Sequence, residues 1–195
     1  MNPGELNQRI EVLCFKKWGT KYSWKSSATI WGKVEVLDKI NIFSKVGIGV
    51  KSYKFTIRGR FLTLHQALNW RGRFYFLTDI KEIDRMYLEV TAAQIEPKLC
   101  TAVRTTTIKN ELNRPVTSSE IFLTFPGCLT EKYIRYNQEK PQAINESTYV
   151  LVTPKSVILS AGELVKIEDI IYNIQIVHSL DEYKNEYEIS IKKDV

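Results

Sequence analysis

A strand-turn-strand stretch occurs twice in this chain, once near the end of each half. That repeat restricts the fold more than any other feature of the sequence. The first copy is NWRGRFYFLTDIKEID, Asn69 to Asp84, and the second is KIEDIIYNIQIVHSLD, Lys166 to Asp181. An offset of 97 positions sets Trp70 on Ile167, Arg71-Gly72 on Glu168-Asp169, Tyr75 on Tyr172 and Asp84 on Asp181. Each copy reads as a tight two-residue turn, an apolar strand, a polar break and a further alternating strand. In the first copy the break falls at Asp79, Glu82 and Asp84 and reads as a turn. A repeat of this length predicts a duplicated small domain, and 195 residues suffice for two.

The remaining pattern is strand throughout. Ile10, Val12 and Cys14 share one face of a first strand, and KKWGTKYSW (Lys16 to Trp24) reads as a hairpin turning at Gly19. From Ala28 to Leu37, Ala28, Ile30, Gly32, Val34 and Val36 face one way, and Thr29, Trp31, Lys33 and Glu35 the other. Tyr53, Phe55 and Ile57 alternate with Lys54, Thr56 and Arg58, and a strand from Met86 to Ile95 follows the repeated hairpin. Pro97 ends the alternation. The second half restarts at Arg104 to Lys109, turns at Asn110 to Pro115 and continues from Val116 to Phe125. There an offset of 94 sets Phe125 on Trp31. Further strands are expected at Tyr149–Val152, Val157–Leu159, Leu164–Ile167, Ile170–Val177 and Tyr187–Ile191. Short strands at such regular spacing predict an all-β fold: two small antiparallel β-barrels in tandem, over residues 1–96 and 104–195, joined by a linker at 97–103.

Each half carries one long insertion between strands, either a loop or a short helix. In the first half it is DKINIFSKVGIGVK, Asp38 to Lys51. It holds Asp38, Lys39, Ile40, Ile42, Phe43, Lys45, Val46, Ile48 and Lys51, with Gly47 and Gly49 as expected hinge positions. Connections run over the surface, so its apolar side chains call for a neighbouring subunit or a docking groove. The matching insertion of the second half, Thr130 to Asn145, is polar.

Composition excludes several classes. With 44% hydrophobic and 11% aromatic residues the chain can fill a core. No apolar run approaches the ~20 residues of a membrane span. MNPGELNQRIEV lacks the apolar centre of a signal peptide, so cytoplasmic synthesis is expected. Cys14, Cys100 and Cys128 are odd in number and without metal-ligand spacing. His65 and His178 stand alone in different halves and read as structural. No nucleophile, phosphate-loop or zinc motif is present, so no enzyme, metal or cofactor is expected. Residues 1–98 hold 17 Lys/Arg against 9 Asp/Glu, and residues 99–195 hold 11 against 13. A basic first half fits either a solvated surface or a nucleic-acid or acidic-protein partner. Trp18, Tyr22, Trp24 and Trp31, set among lysines, fit either hairpin packing or stacking on single-stranded nucleic acid.

Four pieces taken in order carry a resemblance: the opening MNPGELNQRIEV, then WKSSATIWGKVEVL (Trp24 to Leu37), YKFTIRG (Tyr53 to Gly59) and WRGRFYFLTDIKEID. Over most of residues 1–96 the chain resembles the head-tail joining, or head-completion, proteins of tailed bacteriophages with long non-contractile tails. The resemblance implies a structural protein of the virion neck, made in the host bacterial cytoplasm and without catalytic residues or cofactors. It implies a homo-oligomeric ring, twelve-fold in the family, below the portal and adaptor proteins. That ring meets a tail-completion or tail-terminator protein and surrounds packaged double-stranded DNA without reading its sequence. In the family the insertion at the place of Asp38 to Lys51 projects into the channel as a stopper. The usual insertion is polar and this one is apolar, which leaves open whether it blocks DNA or packs on a neighbouring subunit. The second half then reads as a diverged second copy or another neck-protein barrel. The alternative is an OB-like small-barrel module binding nucleic acid.

Overall fold

β-branched and aromatic residues alternating with polar ones suit a pleated, half-buried surface, and the protein is all-β accordingly. The computed structural model describes residues 3–37, 44, 50–109, 114–132, 148–179 and 181–192. After a single 3-10 turn at Pro3–Glu5, the strands are β1 (Gln8–Trp18), β2 (Lys21–Leu37), β3 (Ser52–Arg58), β4 (Gln66–Trp70), β5 (Arg73–Asp84) and β6 (Tyr87–Ile95). They continue as β7 (Lys98–Lys109), β8 (Pro115–Glu131), β9 (Thr148–Pro154), β10 (Leu164–Ile167), β11 (Ile170–His178) and β12 (Lys184–Ile191). The chain divides into two units, Met1–Lys16 with Ser23–Pro97, and Lys17–Tyr22 with Lys98–Val195. Among the described residues no helix is long and apolar enough to cross a membrane.

Within the first unit the strands pair in the order β1-β2-β3-β6-β5-β4, and β4 returns to β1, so six strands form a ring. The second unit repeats this strand for strand, β7-β8-β9-β12-β11-β10 and back to β7. Register repeats as well. Leu68 pairs with Tyr75 and Val165 with Tyr172, so the 97-residue offset read from sequence holds through this hairpin. It carries over even the bulge, which lies between Leu77 and Asp79 in β5 and between Ile174 and Ile176 in β11. Arg71 and Glu168, at the matching turn position, are the non-glycine residues with positive φ among the described residues, 53° and 56°. Earlier in each unit the offset shrinks: Tyr53 and Tyr149 match at 96 and Val34 and Leu129 at 95. Val12 and Ala102 match at 90.

The first core gathers Ile10, Val12, Phe55, Ile57, Leu68, Tyr75, Leu77 and Val90, all fully or almost fully buried. Burying each large apolar side chain contributes about 1.5–3 kcal/mol. Tyr53 meets Tyr75 edge-on at 5.0 Å, and their counterparts Tyr149 and Tyr172 meet at 5.8 Å in the same T-shaped manner. The connection from the third to the fourth strand of each unit contributes apolar side chains to the core. In the first unit these are Leu62 and Leu64, packed on the cluster. In the second they are Val157 and Leu159, whose backbone is held by Tyr187: its hydroxyl donates to the Val157 carbonyl (2.8 Å) and accepts from the Leu159 N–H (3.2 Å).

Several expectations are corrected. The polar break is no break, because Asp79 and Glu82 lie within a continuous β5. Only Asp84 opens a turn, its carboxylate accepting from the Met86 and Tyr87 N–H groups at 2.7 and 2.9 Å. The linker is Glu96-Pro97 alone, and residues 98–103 are the start of β7. Val157–Leu159 is a connection with buried side chains, which mimics a strand in sequence. Phe125 matches Ile30 and not Trp31, since the offset there is 95. A slip of one residue exchanges the two faces of a strand, and Phe125 is buried while Trp31 is exposed. Val36, read on one face with Ile30 and Gly32, is 72% exposed while those two are buried. The polar insertion of the second half starts later than Thr130, because Thr130 and Glu131 still pair with Val150 and Tyr149.

The 95-residue offset also aligns Gly32 with Gly127. A Cβ on Gly32 would stand 2.7 Å from Ile10 Cδ1 and 2.9 Å from the Thr56 carbonyl oxygen; on Gly127 it would stand 2.8 Å from Leu151 Cδ1 and 3.0 Å from Cys100 Sγ. The first clash includes backbone and the second only side-chain ends. Gly32→Ala should therefore cost about 2–3 kcal/mol in urea unfolding, at the upper end for overpacking. Gly127→Ala should cost clearly less, and Cys100→Ala should recover part of that loss. Equal losses at the two glycines would contradict this packing.

Candidate functional site

Sequence points to the insertion between β2 and β3, and the described residues fix where it leaves and returns. Leu37 and Ser52 are the last β2–β3 pair, so the insertion starts and ends at neighbouring strand ends of the first ring. Asp38, Lys39, Ile40, Ile42, Phe43, Lys45, Val46, Gly47, Ile48 and Gly49 lie outside the described residues. Lys51 is exposed, and its carbonyl accepts from the Gln94 N–H at 2.8 Å. Ser44 is buried.

The same end of the ring carries the β4–β5 turn and the start of β1. Gln8 Oε1 accepts from Trp70 Nε1–H (3.3 Å) and from Arg71 Nη2 (3.2 Å), and the Arg71 guanidinium lies 4.6 Å over the Trp70 ring. These groups line a cavity of about 560 Å³ with Glu5, Lys33 and Val34. Charges alternate across the adjoining strands: Lys33 reaches Glu5 (3.4 Å) and Glu35 (3.5 Å), and Lys54 reaches Glu35 (3.2 Å) and Glu89 (3.7 Å). The hydrogen bond from Lys54 holds the Glu35 carboxyl below its ordinary range. Such exposed pairs add little stability but set a polar, mixed-charge rim. Trp70 and Arg71 were missed as site residues; the signal for them is a Trp set directly before a two-residue turn.

Beneath the rim Tyr53, Phe55, Trp70 and Tyr75 pack ring against ring at 5.0–6.5 Å. The Tyr75 hydroxyl is buried with no hydrogen-bond partner among the described residues, and burial pushes it up to about 12. An unpaired buried hydroxyl is a cost that Phe avoids. Tyr75→Phe should leave stability unchanged or raise it by up to about 1 kcal/mol in thermal unfolding; a loss beyond that would mean the hydroxyl has a partner.

Among the described residues the second unit holds two charge clusters on β12. Glu188 on β12 accepts from Lys132, next after β8, and its other oxygen lies 2.9 Å from Nε2 of His178 at the end of β11. On the same strand the buried Lys184 reaches Asp181 (3.5 Å) and Glu186 (3.1 Å). These pairs tie three elements together. His65, by contrast, is exposed in a turn. Among the described residues no three His, Cys, Asp or Glu side chains converge as a metal-binding set. Cys100 and Cys128 are buried, and burial raises the Cys100 thiol to about 12, so it stays protonated. Cys14 is only half-buried and accepts from Gln66 Nε2 at 3.4 Å.

Burial alone would raise the Glu188 carboxyl, but the hydrogen bonds and charges of Lys132 and His178 outweigh it, and the group sits below its ordinary 4.5. A depressed folded value adds stability above the unfolded one, and that stability is lost as pH falls through the folded one. Glu188→Gln should therefore cost about 1–2 kcal/mol at pH 7. The gap to wild type should shrink below pH 4.5. A gap that does not change with pH would contradict the ion pairing.

Compared with known proteins, the chain matches no protein-family model, no curated protein and no solved structure.

Proposed function

We propose that this chain is a structural neck protein of a tailed bacteriophage virion, joining the head to the tail and closing the DNA channel after packaging. Each six-stranded ring is then a small antiparallel barrel, the second a diverged copy of the first. The observation that carries the reading is the order and spacing of the four sequence pieces quoted above, which supply β1, β2, β3 and the β4–β5 hairpin of a single ring. The insertion from Asp38 to Lys51 leaves from the end of that ring, between the strands where the family carries its stopper. A homo-oligomeric ring of such subunits, seated below portal and adaptor proteins and facing a tail-completion or tail-terminator protein, needs only a heterologous contact that closes. The basic excess of the first half suits packaged DNA passing through, since phosphate contacts hold without reading sequence.

The OB-like alternative draws on Trp31, Arg58 and Arg60, which meet around one cavity, with Phe61 exposed close by in sequence. An OB barrel has five strands, whereas six pair in each ring here, and the neck reading is preferred. In a gel shift with single-stranded DNA the neck protein should bind weakly and without sequence preference.

The direct test replaces residues 39–50 by a short Gly-Asn linker between the paired strand ends. Loop removal spares the paired strands, so circular dichroism should still report a folded β protein. Heads assembled with it should lose DNA or fail to join tails. Full infectivity of such particles would remove the stopper role.

A further inference from the structure

In both units the second strand outruns the third. β3 pairs with β2 only from Gly32 to Leu37, and β9 pairs with β8 only from Cys128 to Glu131. The preceding stretches of β2 and β8 thus present a backbone edge on that side. In the second unit this edge is filled. The Thr124 N–H donates to the Thr20 carbonyl at 2.9 Å, Lys21 runs parallel to Thr124, and the Tyr22 hydroxyl donates to the Ser156 carbonyl at 3.0 Å. Residues 17–22, the turn of the β1–β2 hairpin, are the segment that fills it.

The register carries this site onto the first unit. Offsets of 95 and 96 take Thr124 to Thr29 and Ser156 to Arg60. Thr29 is exposed. Beside it opens a cavity of about 470 Å³ lined by Leu6, Ile30, Trp31, Arg58, Gly59 and Arg60, with Trp31 58% exposed. Among the described residues no strand adds to β2 there.

The hairpin that would match the filling segment is β7–β8. It continues as a two-stranded ribbon from the Arg104–Glu120 pair to the Lys109–Pro115 pair, and among the described residues no third strand joins it. Its arms, TTTI and VTSS, are uncharged and rich in β-formers. Charges and proline sit only at the ribbon's two ends, Arg104 and Glu120 at one and Lys109 and Pro115 at the other, so the stretch between them lacks the residues that usually blunt an edge. The 95-residue offset sets Val116 where Lys21 stands.

We propose that the β7–β8 ribbon of one copy of this chain adds to the β2 edge at Thr29 in the next copy, seated over the cavity beside Trp31 and Arg60. Strand addition of this kind draws affinity from main-chain hydrogen bonds and specificity from the adjoining pocket. The contact is heterologous, so repeating it gives a closed ring or a filament. The inference rests on the repeated topology and not on the neck reading.

The test uses two full-length proteins, Thr29→Cys and Val116→Cys, each with Cys14→Ala; the buried Cys100 and Cys128 are kept. Mixed and mildly oxidised, they should give a disulfide-linked heterodimer on a non-reducing gel, with mass spectrometry confirming that the cross-linked peptide joins positions 29 and 116. Each protein alone should give far less. Because the two introduced thiols sit on different molecules, only a contact between copies can link them. Absence of the heterodimer, with both proteins folded by circular dichroism, overturns the proposal. In sedimentation, shortening the ribbon by joining Thr106 to Ser118 through Asn-Gly should weaken self-association by at least about tenfold, or 1.4 kcal/mol. Unchanged association overturns the proposal too. Heads that leak DNA without residues 39–50, beside a failed cross-link, would leave the neck reading standing and remove this one.

Discussion

The second strand of each unit must serve two partners in turn, the first strand with its early residues and the third with its late ones. The handover sits at a glycine. At Gly32 the β2 backbone comes within 3 Å, by an added Cβ, of Ile10 and of the Thr56 carbonyl, whereas at Gly127 the close neighbours are the side-chain ends of Leu151 and Cys100. A side chain at Gly32 would press the strand off the Thr56 backbone, while one at Gly127 would only displace side-chain ends. The aromatic packing of Tyr53, Phe55, Trp70 and Tyr75 depends on ring closure, because those residues come from β3, β4 and β5 and meet only when the sheet curls on itself.

The ring explains which parts of the fold were legible in sequence. Alternation located β2, β3 and the β4–β5 hairpin, but not every facing residue: Val36 is exposed, and Thr56, Ala67 and Phe76 are buried beside the core-facing residues of their strands. The repeat was legible because it rests on local chemistry: a tight turn with a positive-φ residue at Arg71 or Glu168, and a tyrosine at a fixed distance after it. What failed depends on the partner strand. The polar residues Asp79 and Glu82 looked like a break because they lie past the bulge on the exposed end of β5, where pairing continues without burial. Val157 and Leu159 looked like a strand because a connection that buries alternate residues in a core has the same period. The candidate insertion was legible as an interruption of alternation. The Trp70–Arg71–Gln8 rim beside it was not, since it joins residues more than sixty positions apart.

The two units solve one topology with different chemistry. Where the first fills its interior with Leu88 and Val90, the second places Asn185 and Tyr187 at the matching positions of β12. They are held by hydrogen bonds to the connection at Val157. On the opposite face of β12, Lys184, Glu186 and Glu188 are buried as partners of one another or of Asp181, Lys132 and His178. Buried charges of this kind add little net stability over apolar residues, yet breaking one is costly. They fix which residues meet, and a unit built this way tolerates change less evenly than the apolar first unit.

The same asymmetry bears on assembly. A sheet closed into a ring removes its edges, but only where neighbouring strands are equal in length. Here β2 and β8 each reach past their third strand, so ring closure leaves one exposed backbone stretch per unit. In the second unit the hairpin segment Lys17–Tyr22 satisfies it. In the first, the stretch around Thr29 carries the exposed Trp31 and a cavity lined by Arg58 and Arg60, and among the described residues no strand adds to it. Among the described residues one such edge is filled, another has no strand added to it, and the β7–β8 ribbon is joined by no third strand, which is the asymmetry that the proposed contact between copies uses. A head-to-tail ring requires two different surfaces of one chain that fit each other, and the proposed contact draws both from strand lengths and register, independently of what such a ring would enclose.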